Sequence, residues 1–116
     1  MKLNIYEKKK IVKTYEATTY ELMWGTLEDV ADAVKLDDLK SGSKEEILLA
    51  VGKLVAESRE TVKGLLFDIF EDLTDEELRN THVSEIGLVL YEVVEYTIRN
   101  LAKGLGGKNA GRVSGS

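Results

Sequence analysis

The chain has 116 residues, 43% of them apolar, and a formal net charge of −5. That is the length of one domain, with enough core to fold without a metal or a disulfide. The lack of cysteine excludes thiolate catalysis and Cys-ligated zinc and suits a reducing compartment.

The opening MKLNIYEKKK has no apolar signal core, and no apolar run approaches the roughly 18 residues that span a bilayer. A cytoplasmic protein without membrane association is expected. Residues 2–6, KLNIY, alternate polar and apolar, and residues 11–15, IVKTY, are β-branched and aromatic. Both have strand chemistry, so a β-hairpin is expected, although EKKK between them lacks the Gly, Asn or Pro of a tight turn. Lys8, Lys9 and Lys10 then occupy the exposed tip, where lysines discourage unwanted strand pairing.

From Thr19 the period becomes helical. Met23, Leu27, Val30, Ala31 and Val34 share one face, opposite Glu28, Asp29 and Asp32. Gly25 weakens such a helix, which predicts a close neighbour there. DDLKSGS, residues 37–43, reads as a loop. Ser43 and Glu46 form a capping-box pattern ahead of a stripe of Ile47, Leu48, Val51, Leu54 and Val55. A second stripe follows in Val62, Leu65, Leu66, Ile69, Phe70 and Leu73. AESRET, residues 56–61, has no large apolar side chain, so two helices with a break near Ser58 are preferred over one.

Thr74 and Glu77 form another capping box and open a short helix through Arg79. Ser84 is the expected cap of a last helix. Its broad apolar face carries Ile86, Val89, Leu90, Val93, Val94, Ile98 and Leu101, and its narrow polar face Glu92, Glu95 and Arg99. So wide an apolar face predicts the most buried helix. The expected fold is α+β, mostly α: an N-terminal hairpin and about five helices around one core, spanning residues 1–103. Residues 104–116 hold five of the ten glycines and, after Leu105, one large apolar residue, Val113, and are expected to be a disordered tail.

Catalytic signatures are missing. His82, the one histidine, sits between two helices with no acid at catalytic spacing, which favours a structural role. The acid clusters DDLKSGS and EDLTDEE lack EF-hand spacing, and the Gly104, Gly106, Gly107 group follows a helix rather than a strand, so neither a metal nor a phosphate cofactor is expected. An acidic body repels phosphate backbones, which argues against nucleic-acid binding. Trp24 beside Gly25, and Phe67 off its helix's apolar stripe, are either core or partner anchors. Together these features point to a binding protein.

The stretch LLFDIFEDLTDEELRNTHVSEIGLVLYEVVEYTIRNL, behind the hairpin and the first amphipathic helix, resembles the tail assembly chaperones of long-tailed bacteriophages of Gram-positive hosts. The resemblance covers about residues 2–103 and rests on layout and on the LTDEEL…EI…LYEVVEY pattern. It implies a small helical protein of the infected host's cytoplasm, absent from the virion. Such a protein binds the long helical tape measure protein and keeps it soluble for tail tube polymerisation. It also implies a longer form made by ribosomal frameshifting, which recruits tail tube subunits, with self-association possible. Gly106-Gly107-Lys108 can be encoded as the slippery heptamer GGGAAAA, so a shift near Lys108 is expected, with the glycines as linker. The alternative is a small acidic adaptor or inhibitor acting on a host or phage protein.

Overall fold

The computed structural model describes residues 1–35, 39 and 42–102. Most of the 37–43 loop and all of the 104–116 tail fall outside these. Among the described residues the fold is α+β and mostly helical: a two-stranded antiparallel hairpin, then five α-helices. The strands are β1 (Lys2–Glu7) and β2 (Lys10–Glu16). A 3-10 turn (Thr19–Glu21) leads into α1 (Trp24–Val34), α2 (Lys44–Glu57), α3 (Arg59–Ile69), α4 (Asp75–Arg79) and α5 (Val83–Thr97). A π-helical turn, Ile98–Ala102, extends α5.

The hairpin turns on Lys8 and Lys9, both at positive φ (52° and 70°). A two-residue loop needs this left-handed backbone to match the strand twist. Asn-Gly satisfies it readily, whereas lysine is disfavoured there by about 1–2 kcal/mol per residue. That is why the turn signal in the sequence is weak. The register slips between Ile5 and Tyr6, so Val12 bulges out of the ladder. Leu3 and Ile5 are the hairpin's contribution to the core.

The two edges of the hairpin differ. On β1, the N–H of Asn4 donates to Glu85, the N–H of Tyr6 to the Asn80 carbonyl, and the Thr81 hydroxyl to the Asn4 carbonyl. That edge is closed by the chain leading into α5. The β2 edge has no such cover among the described residues and is blunted by its bulge and its lysines.

Helix α5 is the centre of the molecule, packed against α1, α2 and β1. Val89, Leu90, Val93 and Val94 are each 1% exposed or less. Thr97 is fully buried, and its hydroxyl donates to the Val93 carbonyl at 2.7 Å. Ser58 breaks the middle segment into α2 and α3 with non-helical backbone (φ −132°, ψ 51°). Thr74 Oγ1 accepts from the Glu77 N–H and Glu77 accepts from the Thr74 N–H, both at 3.1 Å, completing the capping box of α4. At α2, Ser43 Oγ accepts from the Glu46 N–H at 3.2 Å, and the Glu46 carboxylate accepts from the Gly42 N–H.

Four expectations are corrected. Met23 and Leu48, assigned to the apolar stripes, are 72% and 51% exposed. Met23 stands at the N-cap of α1, where the chain has not yet turned toward the core, and Ala50 takes the buried position on α2. Among the described residues, nothing beyond its own helix backbone and chain neighbours lies within 4 Å of a Cβ built on Gly25, so the close neighbour expected there is not found. Ser84 lies inside α5 rather than capping it. The helix starts earlier because the N–H groups of Glu85 and Ile86 donate to the His82 carbonyl at 3.0 and 3.3 Å.

Candidate docking groove

An open groove of about 530 Å³ runs between the α2–α3 corner on one side and α4 with the start of α5 on the other. Val55, Val62, Leu66, Leu78, Val83 and Ile86 form its apolar lining. Val62 and Leu66 belong to the core stripe of α3 and are deeply buried, so the floor of the groove is the outer surface of the core. Val83, at the first turn of α5, is 68% exposed.

The rim is mostly cationic. Arg59, Lys63 and Arg79 line it with one acid, Asp75. Lys63 Nζ lies 3.5 Å from Asp75, joining α3 to α4. The guanidinium groups of Arg59 and Arg79 have no hydrogen-bond or ion-pair partner among the described residues. On a chain of net charge −5 this is a local reversal of sign.

The walls are fixed by two carboxylates that reach back to the hairpin. Glu77 of α4 accepts from the Tyr15 hydroxyl at 2.5 Å and lies 3.1 Å from Lys13 Nζ. The Tyr15 hydrogen bond, with Lys13 and the Thr74 N–H, holds the Glu77 carboxyl down to about 2 despite partial burial. Glu85 of α5 accepts from the Asn4 N–H at 2.9 Å and from the Tyr6 hydroxyl. Burial works to raise Glu85, but the Tyr6 hydroxyl, the Asn4 N–H and nearby His82 outweigh it, so its carboxyl lies below the ordinary range. The Tyr6 and Tyr15 hydroxyls are in turn shifted upward, Tyr6 chiefly by its bond to Glu85, and Tyr15 by burial and its bond to Glu77. His82 stacks on Tyr6 with ring centroids 3.8 Å apart, and its Nδ1 is 3.6 Å from Glu85.

The two residues singled out in the sequence lie elsewhere and in unlike settings. Trp24 opens α1 and is 64% exposed, in a run with Tyr20 (89%) and Met23 (72%). Phe67 is partly buried and leans on the core. No ring contact joins them. The groove itself escaped sequence reasoning because four helices contribute to it. The one available signal was the pair Arg59 and Arg79, basic residues beside apolar stripes in an acidic chain.

A second cleft, about 360 Å³, lies between α1 and α2 and includes Lys35, Leu39, Leu49 and Lys53. It borders the positions outside the described residues. Among the described residues no group of three or more His, Asp or Glu is placed to hold a metal ion, and no helix is long and apolar enough to cross a membrane. In comparison with known proteins, the chain matches no family model, no curated protein and no solved structure.

Proposed function

We propose that this chain is a tail assembly chaperone of a long-tailed phage, acting in the host cytoplasm by binding the tape measure protein and keeping it soluble. The observation that carries this reading is the apolar surface left uncovered. Tyr20, Met23, Trp24, Leu49, Val83 and Leu88 are each exposed by 64% or more. Scattered apolar residues are ordinary, but a run that includes a tryptophan supplies the aromatic anchors on which interfaces depend. A tape measure chain presents long apolar helix faces, and the net charge of −5 would keep the complex in solution. The resemblance of the 65–101 stretch to these chaperones supports the same reading. A longer form, shifted in frame near Lys108, would carry the domain to tail tube subunits.

Co-expression tests this directly. The partner is the very long helical protein encoded beside the tail tube gene. With the wild-type chain it is expected in the soluble fraction, and with Trp24→Ala combined with Met23→Ala it is expected to return to the pellet. A tape measure protein that stays insoluble with the wild-type chain overturns the proposal.

A further inference from the structure

The groove has a floor, a rim and a sign, and together these specify an occupant. We infer that it binds an amphipathic α-helix of a partner protein whose apolar face is flanked by carboxylates. The inference rests on the binding role proposed above and gives it a second contact, separate from the Met23–Trp24 run and with its own chemistry.

Three observations converge. The first is the lining. Val55, Val62, Leu66, Leu78, Val83 and Ile86 are aliphatic, and side chains spaced at i, i+3 or i+4, and i+7 on a guest helix are the usual complement of such a trough. The second is the nature of the walls. All of them are helices, and none presents the row of free N–H and C=O groups that a strand edge offers. An extended guest would find no strand edge in the groove and would bury unpaired N–H and C=O groups there. A helical guest satisfies its own backbone. The third is the rim. Arg59 and Arg79 face solvent with no partner among the described residues, and Lys63 is already engaged with Asp75. A guest carboxylate beside either guanidinium gains a charge-assisted bond, and bidentate pairing adds orientation. A basic guest meets like charge instead. In a chain with five more acids than bases, a cationic rim around an apolar trough discriminates by sign.

A designed peptide tests the site without any natural partner. The probe is a helical peptide of about fourteen residues with leucines at i, i+3, i+4 and i+7 and glutamates flanking them, labelled for fluorescence anisotropy. A matching peptide carries lysines in place of the glutamates, and a third carries a central proline. The glutamate peptide is expected to bind at least about tenfold more tightly than the lysine peptide, with the preference shrinking as salt rises. The double variant Arg59→Glu/Arg79→Glu reverses that preference. Both residues are exposed and unpartnered, so the fold tolerates the change. Val83→Asp weakens both peptides at least about fivefold, and the Trp24→Ala variant binds them as wild type does.

Equal binding of the two charged peptides, undiminished binding of the proline peptide, or loss of binding in Trp24→Ala overturns the inference. So does sedimentation that shows a dimer dispersed by Arg59→Glu/Arg79→Glu, which gives the groove to a second copy of the chain. The two proposals fail separately. A tape measure protein solubilised by the Arg59→Glu/Arg79→Glu variant as well as by wild type removes the groove and leaves the chaperone. A groove that selects the glutamate peptide while the tape measure protein stays in the pellet removes the chaperone and leaves the groove.

Discussion

Replacing Glu77 with alanine removes the contact that ties α4 to the hairpin. The carboxylate has three partners: the Tyr15 hydroxyl at 2.5 Å, the Thr74 N–H at 3.1 Å and Lys13 Nζ at 3.1 Å. Losing the capping box costs about 1 kcal/mol, by comparison with cap substitutions elsewhere. Losing a hydrogen bond to a charged acceptor costs about 1.5–3 kcal/mol. The structure argues for the low end of that range, because the Tyr15 hydroxyl keeps the Asp72 carbonyl at 3.1 Å as a second acceptor. Lys13 is half exposed, so its ion pair adds little. Glu77→Ala is therefore expected to lose about 2–3 kcal/mol in all.

Urea unfolding followed by far-ultraviolet circular dichroism reads this loss. Glu77→Gln, whose amide oxygen still accepts from Tyr15 or Thr74, should lose about half as much. A cycle with Tyr15→Phe should return a coupling of about 1 kcal/mol, since the two residues share one bond. A loss under about 0.5 kcal/mol in Glu77→Ala, the range of ordinary surface substitutions, would refute the assignment of Glu77 as a tie.

Acid should act on the same contacts. The Glu77 carboxyl, held at about 2, and the lowered Glu85 carboxyl both sit below the usual unfolded value of about 4.3. Their stabilisation is complete above that unfolded value and is lost as pH falls through it toward about 2, where the unfolded state binds more protons; urea midpoints against pH should show this acid limb, and Glu77→Gln should flatten it. Phe70 is 1% exposed and meets Tyr15 edge-on at 6.3 Å, so Phe70→Ala should cost about 3–5 kcal/mol. Phe67→Ala should cost clearly less in the same urea melts, and equal losses would make Phe67 full core.

Much of the architecture was legible because it is local. The alternation in KLNIY, the helical stripe from Val62 to Phe70, the Thr74–Glu77 box and the apolar gap at AESRET each report on a few neighbouring residues, and each corresponds to an observed element. The errors fall where tertiary context decides. Met23 and Leu48 carry core chemistry at helical spacing, but the chain's entry angle at α1 and the packing of α2 leave them outside. Glu77 was legible as a capping-box acid but not as a tie to the hairpin, and Glu85 carried no signal of its own in the sequence. Their partners Tyr15 and Tyr6 lie 62 and 79 residues away, a distance over which no periodicity speaks.

Those two carboxylates also explain why a chain dominated by helices keeps a hairpin. Helix α4 has five residues, too few to be stable alone. It is held by its capping box, by Lys63 from α3 and by Tyr15 and Lys13 from β2. The first turn of α5 is likewise held by Asn4 and Tyr6 of β1. These two segments supply Leu78, Arg79, Val83 and Ile86, one whole wall of the groove. The opposite wall, from α2 and α3, belongs to helices of 14 and 11 residues anchored in the core. The groove is thus bounded by a rigid side and a side whose position depends on the hairpin's polar ties. Weakening those ties is expected to shift that wall more than the other. Binding of the glutamate peptide in the groove should therefore weaken over the same fall in pH that lowers the urea midpoint, and binding unchanged across that limb would refute the link.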